Sequence, residues 1–345
     1  MTHASLRGKV QTVRGPIEPD TLGPTLMHEH LLCDLVPPRY NTDDGLESEI
    51  TLETSFEINY GRVPHMGKFR LDHLDCAIAE LLDMRKVGGR AIVELTCGGL
   101  KPDPEGLCRI AEDADVHIVM GCGHYVEEYQ DPRNFDRTVD DFAAEMVAQI
   151  FEGAWGTPVR AGIIGEIGCQ APWTALEKRV MRGAVLAQGE TGAALNVHPG
   201  RHPNQPHEVV ALVREAGGDV ERTIISHIDR TIFDEERLLR LADSGCVIEY
   251  DFFGWESTYY PLARVDLPND GMRIALIRTL IDHGHLSRIV ISHDICTKTR
   301  LRRFGGHGYR HIFANVVPLM QNRGFTDNEI HALLVDNPQR LLTIE

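Results

Sequence analysis

Short apolar runs recur along the chain, each bounded by Gly, Pro or a polar cluster and followed by a longer segment of helical period. The runs are 24–27, 91–95, 117–120, 161–164, 193–197, 223–225, 246–248 and 288–291. Most are rich in Val and Ile and do not alternate apolar with polar, which is how a parallel strand covered on both faces reads. Helical periodicity fills the intervals. Over 73–86, Leu74, Ile78, Leu81 and Leu82 share one face, and Gly88-Gly89 ends the segment. The same spacing predicts helices over 104–114, 140–151, 174–188, 206–216, 234–242 and 272–283. Two more follow the last run, over 309–322 and 326–341, where Thr326 and Asp327 offer a start signal.

Eight strands alternating with helices predict an α/β fold, a closed (β/α)8 TIM barrel, rather than a doubly wound sheet. A dinucleotide-binding sheet wants a Gly-rich turn after its first strand, whereas this first strand ends in His28-Glu29-His30. A length of 345 residues suits one barrel, since such barrels run to ~250 residues or more as single units. We therefore read residues 1–345 as one domain. A long polar insertion at about 35–70 is read as a lid or an oligomer contact.

Charge narrows the partners. With 35 Lys+Arg against 51 Asp+Glu the net charge is −16, which argues against nucleic acid and anionic membranes. No run approaches the ~18 apolar residues of a membrane span, and the first residues lack the apolar stretch of a secretory signal. Eight cysteines occur without a C-x-x-C pair. They read as reduced thiols in a cytoplasmic protein.

In a barrel the active site lies at the carboxyl ends of the strands. Strand one ends in His28 and His30, strand four in Glu166, strand five in His198, strand six in His227 and strand eight in His293-Asp294. Imidazoles and carboxylates suit divalent metal ions. Positions two apart on a strand share a face, so His28 and His30 converge while Glu29 points away. A lone strand-end His is ordinarily a hydrogen-bonded structural residue, and Glu166 alone would suit a buried ion pair. Six ligand-type side chains at one end of five strands are a different matter. Burying carboxylates without counter-charge costs several kcal/mol each. The set is enough for two metals: Glu166 bridging, His28, His30 and Asp294 on one ion, His198 and His227 on the other. Zinc is the expected metal, with Mn, Co or Fe as alternatives.

At these residues the chain resembles the phosphotriesterase family of the amidohydrolase superfamily, and within it the phosphotriesterase-related branch. The matching stretches run nearly end to end: residues 8–13, His28-Glu29-His30, 162–169, His198-Pro199-Gly200-Arg201, the segment from Ser226-His227 to Arg230-Thr231, Glu249-Tyr250-Asp251, His293-Asp294, 297–301 and 305–309. The resemblance implies a distorted barrel, two divalent ions held by the six residues above, and a hydroxide between them. It also admits a homodimer. The organophosphate-degrading members bridge their metals with a carbamylated Lys on strand four, where this chain has Glu166. That departure puts phosphotriester hydrolysis in doubt as the native role but leaves hydrolysis itself in place.

The expected chemistry is attack on an electrophilic centre by the bridging hydroxide, with Asp294 taking its proton and delivering it to the leaving group. Four cations follow the ligands by a few residues: Arg201, Arg230, Lys298 and Arg300. Any one of them could simply pair with an acidic surface. Together they suggest a pocket for a carboxylate or sulfonate. Tyr125 after strand three is a candidate pocket or leaving-group contact. The animal branch is associated with small anionic N-acetyl amides such as N-acetyltaurine, so the leading expectation is hydrolysis of a small anionic N-acyl amide. The alternative is a lactone or ester hydrolase with side activity on phosphotriesters, which would prefer an apolar cleft. A barrel that binds without turnover would have lost a ligand, and none of the six is lost. The stretch 305–309 reads as a loop over the barrel mouth.

Overall fold

The computed structural model describes residues 6–40 and 49–345. Eight parallel strands form one sheet in chain order: β1 (Thr25–Glu29), β2 (Ala91–Glu94), β3 (His117–Cys122), β4 (Ile163–Gly168), β5 (Leu195–His198), β6 (Thr223–Ile225), β7 (Val247–Tyr250) and β8 (Ile289–Ile291). All eight coincide with the apolar runs. Every residue in them is buried save the half-buried His117, which is why they read as apolar runs rather than alternating, with their buried polar residues gathered mostly toward the strand ends. The sheet closes where the Asp294 N–H donates to the His28 carbonyl at 3.0 Å, joining the end of β8 to β1.

Seven helices alternate with the strands: α1 (Leu74–Lys86), α2 (Pro104–Ala114), α3 (Val139–Phe151), α4 (Ala175–Thr191), α5 (Gln205–Glu215), α6 (Glu235–Asp243) and α7 (Asp270–Asp282). The helical residues beyond β8 complete the ring. One core fills the barrel, including Met27, Val93, Val119, Ile163, Ile224, Val247 and Val290. A second, larger core lies between barrel and helices, where Ile92, Ile118, Ile164 and Ile248 meet Leu81, Ile110 and Val180. Successive strand residues thus feed two separate interiors.

Two features escape the period-based reading. A hairpin of Val10–Thr12 with Gly15–Ile17 precedes the barrel and bridges to Thr343 near the chain end. At the base of the insertion, Cys33–Asp34 pairs antiparallel with Arg70–Leu71, and within it a helix at Leu52–Asn59 is capped by a Thr51–Thr54 capping box. Residues 41–48 of the insertion lie outside the described residues.

The register of β4 against β5 slips by one residue between Ile164 and Ile167. Such a bulge re-aims the side chain it contains, here Glu166. Glycines permit it. A Cβ at Gly165 (φ +128°) would stand 2.3 Å from the Asn196 carbonyl oxygen, and one at Gly121 would stand 2.0 Å from that of Gly165.

Candidate active site

The six strand-end residues converge at the carboxyl end of the barrel, all of them buried. Glu166 Oε1 is 3.5 Å from His30 Nε2, while Oε2 is 2.8 Å from His198 Nδ1, 3.4 Å from His227 Nε2 and 3.5 Å from His28 Nε2. Asp294 Oδ1 lies 3.2 Å from His30 Nε2 and 3.8 Å from His28 Nε2. Glu166 therefore stands between two groups, one of His28, His30 and Asp294 and one of His198 and His227. His28, His30 and Asp294 form one cluster with metal-binding spacing, and His28, Glu166 and His227 form another.

Two of the six sit in left-handed backbone, His227 at φ +55° and Asp294 at φ +50°. Such residues persist only where the surroundings over-determine them. The N–H of His227 donates to both oxygens of Asp251, the nearer at 3.0 Å. Around Asp294, the N–H donates to β1, and buried Arg300 donates to the Asp294 carbonyl at 2.6 Å.

Buried polar groups behind the rings select which nitrogen faces inward. His30 Nδ1 is 3.0 Å from Thr96 Oγ1, whose hydroxyl donates onward to Glu94 at 2.5 Å. His227 Nδ1 meets Asp251 Oδ1 at 3.0 Å. His28 Nδ1 faces Asp251 at 3.2 Å and Glu249 at 3.3 Å. These carboxylates orient the imidazoles and raise their basicity toward a cation. Spacing singled out none of them as a partner, although Asp251 sits just past β7 and so shared the positional signal.

His28 Nε2 is fully buried and has no hydrogen-bond partner. It faces Glu166 and Asp294 across distances too long for a good hydrogen bond. An orphaned imidazole nitrogen between two carboxylates fits a shared cation. Burial pushes Glu166 upward, but the charges of His198 and His28 outweigh it and hold the carboxyl well below its usual range. Burial chiefly pushes His198 well below the usual imidazole value.

Above the cluster opens a cavity of about 460 Å³, lined among others by Tyr125, Arg201, Arg230, Trp255 and Asp294. The Tyr125 ring packs edge-on against His198, centroids 4.9 Å apart. Arg230 is buried, and its Nη2 donates to the Pro199 carbonyl at 2.9 Å and lies 3.1 Å from His198 Nε2. Its Nη1 has no partner. Arg201 is exposed at the rim and donates from Nε to Tyr260 Oη at 2.9 Å. Lys298 departs from expectation. It is absent from the cavity lining, and its ammonium pairs with Asp72 at 2.9 Å. The chain turns into a short 3-10 helix at Lys298–Arg300, which sends that side chain outward. Arg300 does border the cavity, but its guanidinium is spent on the carbonyls of Asp294, His293 and Phe253. Gly305, Gly306 and His307 line the cavity, as expected of a loop over the mouth.

The insertion reaches the same cavity through Leu35, Phe56, Asn59, Tyr60, Lys68 and Phe69. All eight cysteines are free thiols, and seven of the eight lie apart from the cavity lining, Cys296 being the exception. No helix among the described residues is long and apolar enough to cross a membrane.

The phosphotriesterase family model matches residues 8–342. N-acetyltaurine hydrolase of Bos taurus is 41% identical over 348 aligned residues, covering 99% of this chain and all of that protein. The crystal structure of a resiniferatoxin-binding protein from Rhodobacter sphaeroides superposes with a TM-score of 0.91 at 37% identity, covering 99% of this chain and 97% of the other. The phosphotriesterase homology protein of Escherichia coli, solved with phosphate in its active site, gives 0.76 at 27% identity over 94% of this chain and 99% of its own. A match along nearly the whole chain, joined to a barrel whose strand ends gather imidazoles around one carboxylate, places this enzyme in the phosphotriesterase family of metal-dependent hydrolases.

Proposed function

We propose that this enzyme hydrolyses a small anionic N-acyl amide, with N-acetyltaurine the first candidate, in a binuclear centre held by His28, His30, Glu166, His198, His227 and Asp294. Zinc suits four imidazoles and two carboxylates; manganese, cobalt and iron fit the same donors. Glu166 turns Oε1 toward His30 and Oε2 toward His198, His227 and His28, so its carboxylate would hold the place between the two ions. When bound, two such ions supply an activated water and polarise the substrate carbonyl.

The chain's own residues do the rest. Asp294 borders the cavity beside His30, where its carboxylate takes the proton of the attacking water and returns it to the departing nitrogen. That return matters for an amide, because an amine anion cannot leave unprotonated. Phe252 packs against the His227 ring and Trp255 stacks on Phe252, an apolar pair on that side of the cluster.

One observation carries the substrate class: a buried guanidinium with an unpartnered Nη1 beside the cluster, on a chain of net charge −16. A buried cation with a free donor is costly unless an anion meets it. Arg201 adds a second cation at the rim. The name borne by the 41% identical relative agrees with this reading. A lactone hydrolase has no use for that donor. Eight unpaired thiols favour a cytoplasmic setting.

The test is metal analysis of the purified protein, followed by assays with N-acetyltaurine, a neutral N-acetyl amide, a lactone and an aryl phosphotriester. Two equivalents of metal and a preference for N-acetyltaurine are expected. Preference for the neutral amide or the lactone would defeat the anion reading.

A further inference from the structure

The cavity has a second end that a small acetyl amide does not use. At about 460 Å³ it falls in the range that encloses drug-sized ligands, far more than an acetyl group and a two-carbon amine occupy. Its two ends differ in chemistry. Arg201 and Arg230 follow β5 and β6. The insertion follows β1, half the circumference away from β5 in an eight-stranded barrel. There Phe56, Tyr60 and Phe69 line the wall beside Lys68. Phe56 stacks on Tyr60 at 4.9 Å, and Tyr60 stacks on Tyr259 of the β7 loop at 5.1 Å with planes 10° apart. Phe56 is 64% exposed and Leu262, also in the lining, 57%. Exposed apolar side chains at a cavity suit an apolar ligand group, and both line the same cavity as the Glu166 cluster.

We infer that the Phe56–Tyr60–Leu262 wall receives the acyl chain of the substrate, so that the enzyme accepts N-acyl amides with chains of several carbons and favours them over acetyl. This rests on the anionic N-acyl amide reading. With the anion at Arg230 and the scissile carbonyl at the Glu166 cluster, the acyl substituent points across the barrel toward the insertion. The reaction consumes one water, breaks the C–N bond, and releases a carboxylate and the protonated amine. The 37% identical structure named for resiniferatoxin binding shows that this scaffold elsewhere carries a binding role of its own, but the occupant here is set by the two-ended lining.

The experiment compares N-acetyl, N-butanoyl and N-hexanoyl taurine on the metal-loaded enzyme, alongside Phe56→Ala and Leu262→Ala. Burying one methylene is worth about fourfold at most, so kcat/KM for the hexanoyl amide should exceed that for acetyl by at least about tenfold. Each variant should lower the hexanoyl value at least about fivefold more than the acetyl value. Cleavage of acetyl with weaker cleavage of hexanoyl, or equal effects of the variants on both, overturns the inference and leaves the parent reading standing. If no N-acyl taurine is cleaved, the parent reading fails. Calorimetric titration with ethanesulfonate and octanesulfonate then decides: tighter octanesulfonate binding that is lost in Phe56→Ala supports the apolar subsite, and equal affinities overturn it.

Discussion

Glu29 and His293 are joined across the seam where the barrel closes: Glu29 Oε1 accepts the main-chain N–H of His293 at 2.9 Å and lies 2.7 Å from its ring Nδ1. The same carboxylate accepts from Ser292 Oγ at 2.8 Å and from the Ile295 N–H at 3.0 Å. It thus grips the chain on both sides of Asp294. Glu29 alternates with His28 and His30 and points away from the metal-type cluster, toward the opposite side of the strand.

Glu29→Gln should therefore loosen Asp294 without touching the cavity. An amide in that place turns a donor toward donors and leaves a buried group unsatisfied, at about 1–3 kcal/mol. Expected are a lower thermal midpoint and a reduced kcat with KM little changed. An unchanged kcat would show that the seam does not position Asp294.

Glu166→Gln should lower bound metal and turnover together, because a neutral amide cannot neutralise two cations at once. Metal analysis and an assay on the same preparation check this. Full metal content with full activity would remove Glu166 from the bridging place.

Arg201→Ala should raise KM for an anionic amide by roughly tenfold or more, the effect of one charge-assisted hydrogen bond of about 1.5–3 kcal/mol. A neutral amide of equal length should be nearly unaffected. Parallel loss on both substrates would instead indicate that Arg201 supports Tyr260, to which it donates.

Acid should erode one bond near the chain end. Glu329 pairs with Arg278 at 2.6 Å, and that hydrogen bond chiefly holds its carboxyl down at about 2, against 4.5 ordinarily. The folded pKa is depressed, so the contribution is complete above about pH 4.5 and disappears as pH falls toward 2. The thermal midpoint of Glu329→Gln should lie below that of the parent at neutral pH. The gap should close as pH approaches 2. A gap independent of pH would mean that the ion pair does not contribute.

The order of strands and helices was written in the chain, because a strand covered on both faces must be continuously apolar and the helix between two such strands must show one apolar stripe. The ligand-type residues were legible for the same reason: the end of each run is the rim of the barrel, so His28, His30, Glu166, His198, His227 and Asp294 could be placed at one rim from position alone. Tertiary structure alone decided where side chains go once the strand ends. Lys298, four residues beyond Asp294, turns out to Asp72 because a 3-10 turn intervenes, whereas Arg230, three beyond His227, turns in. The carboxylates behind the rings, Asp251 and Glu249 among them, depend on contacts between strands far apart in sequence. Periodicity assigns a residue to a face of its own element; its partner across the barrel is set only when the sheet closes, with a register shifted at Glu166 by glycines that have no side chain to resist it.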